Sequence, residues 1–98
     1  MGSAPTSGDI RHEPKAQRFV IELAGGTGLI RYREVAGRVL DLNHTFVPPT
    51  LRGGGIASQL TERALRYARE HGYRVIPSCP FVATFIERHP EYRGLTAN

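Results

Sequence analysis

The run Arg52-Gly53-Gly54-Gly55-Ile56-Ala57, followed by Ser58, has the composition of an anion cradle. Three consecutive glycines let the backbone curl until successive N–H groups point at one place. An amphipathic pattern begins directly after them, so the cradle opens into a helix N-terminus, whose partial positive charge favours phosphate. Arg52 can add a charge-assisted bond at the rim. A plain flexible loop ahead of a helix would use the same glycines, and spacing alone leaves both readings open. Two other phosphate loops do not fit. No Lys follows the glycines, as G-x-x-x-x-G-K-[ST] requires. Ser58 stands where G-x-G-x-x-G needs its last glycine, and no acidic residue ends a following strand about 20 residues on.

Cys79 and His44 are the other candidates for chemistry. Cys79 precedes Pro80, a residue suited to the first position of a helix. A thiol at a helix N-terminus is a plausible acyl acceptor, or else a small residue lining a site. His44 belongs to the side-chain type that changes charge near neutral pH, which suits general acid–base work. Its alternative role is a hydrogen-bonded histidine in a sheet. Arg63, Arg66 and Arg69 fit a solvated helix face, from which one can reach a phosphate. Phe81 and Phe85 fit a core. Tyr92 is a minor candidate for a general acid. Arg31 and Arg33 either line an acceptor groove or face water.

The elements that must position these residues follow from periodicity. Residues 1–17 mix Ser, Pro, Gly, Thr and charge without pattern and are expected to form a disordered tail. Strands are expected from Arg18 to Leu23, Leu29 to Val35 and Val39 to Val47. The first turn falls at Gly25-Gly26-Thr27-Gly28 and the second at Ala36-Gly37-Arg38. In the third strand, alternation places Leu40, Leu42, His44 and Phe46 on one face. Pro48-Pro49 ends it. A helix is expected from about Gly54 to His71, with Ile56, Ala57, Leu60, Ala64, Leu65, Tyr67 and Ala68 as its buried stripe. Tyr73 to Pro77 is a short strand, and Pro80 to about Arg88 a second helix stopped by Pro90. The fold class is therefore α/β (α+β): an antiparallel meander, a β-α-β crossover to a parallel neighbour and a C-terminal helix, around a single mixed sheet.

The 98 residues suit one domain, 18–98, of ordinary globular composition, 40% hydrophobic and 22% charged. A chain this small buries only roughly 60–65% of its unfolded surface, so a ligand or partner would add stability. Net charge is +4, and twelve of the thirteen basic residues are Arg. An anionic partner fits. The charges are scattered, and neither stacking aromatics nor a helix-turn-helix pattern accompanies them, so nucleic acid is disfavoured. No run approaches the ~20 apolar residues of a membrane span, and no secretory leader is visible. Met1-Gly2 with Thr6 matches a short myristoylation pattern without a second anchor. One cysteine allows no intrachain disulfide and suits a reducing cytoplasm; no Cys/His spacing suggests a metal.

The loop fits the pattern [Q/R]-x-x-G-x-[G/A] at each specified position. With His44-Thr45-Phe46-Val47-Pro48-Pro49 before it and Ile76-Pro77-Ser78-Cys79-Pro80-Phe81-Val82 through Arg88-His89-Pro90 after it, the chain over roughly 18–92 resembles the small YjdJ-type members of the GNAT (Gcn5-related N-acetyltransferase) family. The resemblance implies an acetyl-CoA or coenzyme A site, with no metal, and transfer of acetyl to a small-molecule or protein amine. Pantetheine would lie between two splayed parallel strands, hydrogen-bonded near Phe46 and Val47. The pyrophosphate would rest on Gly53, Gly54, Gly55, Ile56 and Ala57, flanked by Arg52 and Ser58. The thioester would point toward His44 and Cys79. Many relatives carry a Glu base on the strand before the loop. Here Phe46 occupies that stretch, which leaves His44 as the substitute. The second functional reading is a CoA-binding module without turnover.

Overall fold

The computed structural model describes residues 10–97. Its strands are β1 (Arg11–Glu13), β2 (Arg18–Leu23), β3 (Gly26–Val35), β4 (Val39–Phe46) and β5 (Arg74–Ile76), and its helices are α1 (Ile56–Glu70) and α2 (Pro80–Arg88). The strands form one sheet in the order β1-β2-β3-β4-β5. The first four are antiparallel, and β5 joins β4 in parallel after the α1 crossover. This is the single mixed sheet expected.

Both helices cover one face. α1 buries Ile56, Leu60, Thr61, Ala64, Leu65 and Ala68 against a sheet face of Phe19, Ile21, Ile30, Tyr32, Leu40, Leu42 and Val75. Thr61 is fully buried, and its hydroxyl is satisfied by donating to the Ala57 carbonyl one turn back, at 2.8 Å. Gly28 lies in β3, not in the hairpin turn. A Cβ there would stand 3.2 Å from Ile56 Cγ2 and 3.4 Å from Ile21 Cγ2, so this glycine lets α1 approach the sheet closely. α1 ends at His71, whose carbonyl accepts a hydrogen bond from the Arg38 guanidinium, and Gly72 follows with φ +76°.

The sheet begins earlier than the residue pattern indicated. Arg11–Glu13 pairs with Arg18–Val20, inside the segment read as a tail. The physical reason is His12. It stacks on Phe19 (ring centroids 4.2 Å apart) and shares a hydrogen bond with the Tyr32 hydroxyl at 2.6 Å, so a half-buried polar residue, together with the buried Ile10, ties this segment to the core. The Met1-Gly2 pattern lies outside the described residues. After α2, Pro90–Leu95 makes 3-10 turns, and the chain then returns beside β5, where Ala97 N–H donates to the Val75 carbonyl.

Among the described residues no helix is long and apolar enough to cross a membrane.

Candidate functional site

The β4–β5 pairing stops at Asp41 and Ile76. One further bond, Cys79 N–H to the Leu42 carbonyl at 2.9 Å, ties the start of α2 to β4. Beyond it the two chains part. The register of β4 against β3 shifts at the same place: Tyr32 faces Leu42, but Arg31 faces His44, so Asn43 is an extra residue. A bulge bends its strand and strengthens the local twist, and here it swings the end of β4 away from β5.

The bulge also reassigns faces. Past Asn43, Thr45 pairs with the buried Ile30, whereas His44 pairs with the exposed Arg31 and Phe46 with Leu29. The expected common face of Leu40, Leu42, His44 and Phe46 is therefore broken. Leu40 and Leu42 face the helices, and His44 and Phe46 face the other way. Thr45 takes the inward place, with its Oγ1 3.6 Å from the Cys79 thiol, which donates to it. Thr45 was not singled out from the residues. Only the count of residues against β3 reveals its position. Cys79 and His44, expected together at the thioester, stand on opposite faces of β4.

The gap continues as a cleft of roughly 500 Å³ toward the Gly-rich loop. Thr45, Phe46, Val47, Arg52, Gly53, Gly55, Ile56, Ala57, Ser58 and Phe81 line it. Gly54 does not; it borders a shallower hollow on the far side of the loop, next to Leu23–Gly25. Gly53 (φ +87°) and Gly55 (φ +84°) hold left-handed backbone, and a Cβ on either would meet no atom within 4 Å. Gly55 is also the N-cap of α1 and has no side chain to offer, so the first N–H groups of the helix carry no side-chain cap. Arg52 is turned inward: its Nε donates to the Val47 carbonyl at 3.0 Å, bracing the loop against the end of β4.

Cys79 is the N-cap of α2, with Pro80 at the first helical position, and is buried at 9% exposure. It does not line the cleft itself; Thr45 stands between. Among the described residues the cleft lining contains no carboxylate and no histidine. Tyr92, a minor acid candidate, is buried beneath α1. Its hydroxyl donates to Glu62 at 3.4 Å, and burial above all raises its pKa. Phe85 belongs to the core, as expected, while Phe81 is 40% exposed at the mouth of the cleft.

A sheet that splays over an uncapped helix and a left-handed glycine loop defines a GCN5-related N-acetyltransferase fold, and the chain belongs to that family: the family profile described as GCN5-related N-acetyl-transferase matches residues 18–95. Among individual relatives, Protein NATD1 of Bos taurus is 31% identical over 83 residues, spanning 83% of this chain and 74% of its own. Protein NATD1 of Danio rerio is 30% identical over 87 residues, spanning 85% and 79%. A GCN5-like protein from Staphylococcus aureus, solved in solution by NMR, superposes with a TM-score of 0.72 at 25% identity, covering 91% of this chain and 87% of the other.

Proposed function

We propose that this protein binds acetyl-CoA in the cleft and transfers its acetyl group to an amine. The observation that carries the reading is the continuity of three parts: the left-handed glycines Gly53 and Gly55, the uncapped start of α1, and the β4–β5 gap. The exposed N–H groups from Gly53 to Ser58 suit a pyrophosphate. The unpaired edge of β4 at Phe46 and Val47 suits pantetheine amides, and the thioester then lies beside Thr45. In the transfer, the neutral amine attacks the acetyl carbonyl carbon and the carbon–sulfur bond to CoA breaks. The proton lost by the amine ends on the departing CoA thiolate.

Direct transfer agrees better with the geometry than an acetyl-cysteine intermediate, because Cys79 is buried one hydroxyl away from the cleft and no base accompanies it there. The same lack of a lining base favours a second reading, a CoA-holding module without turnover. The single cysteine suits a reducing, cytoplasmic setting.

Calorimetric titration with acetyl-CoA, paired with intact mass spectrometry, tests this. Ser58→Glu is the sharpest variant. Ser58 is exposed in the first turn of α1, where a carboxylate favours the helix. We expect its Tm to be unchanged or slightly raised and its acetyl-CoA affinity to fall by about tenfold or more, as like charges meet over the loop. Wild-type affinity in Ser58→Glu would sink the assignment of the loop. A gain of one acetyl group on Cys79 would replace direct transfer with a cysteine intermediate.

A further inference from the structure

On the face of the sheet opposite the helices Val20 is buried, but Arg31, His44 and Phe46 are exposed, and the side chains fall in rows set by the register. One row runs Glu13, Arg18, Arg31, His44 across β1 to β4. The neighbouring row runs Arg11, Val20, Leu29, Phe46. The basic groups at the β1 side are neutralised locally. Arg18 donates to Glu13 at 2.6 Å, and Arg11 pairs with Glu13 at 3.1 Å and Glu22 at 3.3 Å. Arg31 and His44 stand directly opposite one another at the β4 side, both exposed, with no acidic partner among the described residues. The Arg31 guanidinium with an imidazole directly opposite it offers N–H donors from two strands to a single anion.

The position of this pair matters as much as its charge. Residues alternate along β4, so His44 lies next to Thr45 at the thioester end of the gap and one alternate place from Phe46. Phe46 is 40% exposed on the open face and also lines the cleft. The gap between β4 and β5 therefore opens onto this face. The Arg31–His44 row and the Leu29–Phe46 row are two positions apart along the strands, about 7 Å at ~3.4 Å per residue. A small molecule with an anion at one end and an amine a few bonds away spans that distance.

Resting on the acetyltransferase reading, we propose that the acceptor is an anionic amine. Its carboxylate or phosphate is held by Arg31 and His44 on the open face, and its amine reaches the gap beside Phe46. The amine nitrogen forms the new bond to the acetyl carbon, the CoA sulfur leaves, and the amine's proton passes to that sulfur. Arg31 is a specificity residue here, not a catalytic one.

Matched probes decide the matter: 4-aminobutyrate against 4-aminobutanamide, and O-phosphoethanolamine against ethanolamine. Each is titrated into the full chain with and without CoA, following the backbone amide signals of Arg31 and His44, and each is then offered as acceptor with acetyl-CoA. The expected result is about tenfold preference for the anionic member of a pair, weakening as salt rises. The pair with the larger preference distinguishes carboxylate from phosphate. Arg31→Gln should abolish the preference by raising KM with little change in kcat, while acetyl-CoA affinity stays within about twofold. Equal binding of charged and neutral probes, or no response at Arg31 and His44 at millimolar concentration, overturns the proposal. Failure of acetyl-CoA to bind overturns the earlier reading instead, and the probe titrations without CoA tell the two failures apart.

Discussion

The two faces of the sheet come from the same strands, residue by alternate residue, and obey different rules. On the helix side, Phe19, Ile21, Ile30 and Leu42 have no exposed surface, and each neighbour is chosen by volume. On the other side, Phe46 and Ile76 remain 40% and 36% exposed and Arg31 faces His44. Most of the buried apolar surface is on the first face; the second buries Val20 and otherwise leaves Arg31 and His44 exposed opposite one another. The bulge at Asn43 decides which residues of β4 belong to which face.

The contrast predicts unequal responses to truncation. Leu42→Ala leaves a hole under α1 and should cost about 2–5 kcal/mol, whereas Arg31→Ala in the adjoining pair should change stability by no more than about 0.5 kcal/mol. Urea denaturation of the two variants measures both. Comparable losses would mean that the open face is structural after all. A smaller effect, on binding, is expected from deleting Asn43. Alternation on either side of the bulge is preserved by the deletion, so the inward and outward residues keep their faces while β4 straightens toward β5. We expect the chain to fold and acetyl-CoA affinity to drop about tenfold. Undiminished affinity would show that the bulge does not make the gap.

The smallest expected effect concerns β1. Burial, then Arg63 and His71, lower the pKa of His12 from its ordinary 6.5. A lowered folded value means that the unfolded chain takes up the proton first. The stabilisation is complete above about pH 6.5 and is lost as pH falls toward the folded value. Tyr32, its partner, is pushed up to about 12, chiefly by burial, and keeps its proton throughout this range. Thermal melts between pH 7.5 and 5.5 should show Tm falling by a few degrees in the wild type and less in His12→Phe. Parallel curves would remove His12 from the account of acid sensitivity.

Much of this was legible in the residues. Glycine and proline mark the ends of β4, α1 and α2, and spacings of three and four give the buried stripe of α1. The limits of α2 fall where Pro80 and Pro90 set them. The glycine loop that lines the cleft was equally legible, because backbone builds it and glycine announces backbone. The faces of the strand before it were not. Leu40, Leu42, His44 and Phe46 alternate without a break, and nothing in Asn43 says that it is the extra residue; only pairing with β3 does. For β1, three residues give too short a period to read, and the residue that anchors it is a histidine. The poor alternation from Leu29 to Val35, with Arg31 and Arg33 beside apolar neighbours, has its explanation in a strand whose outer side is open.

Arg52 closes the comparison in another way. Its bond to the Val47 carbonyl braces the loop from within the chain, and Gly53 and Gly55 hold left-handed backbone. Bracing of this kind reduces the ordering that a ligand on the loop would have to impose. Association should then run as a single encounter step, without a slow phase after mixing, and differences in affinity among CoA thioesters should appear in how long they stay.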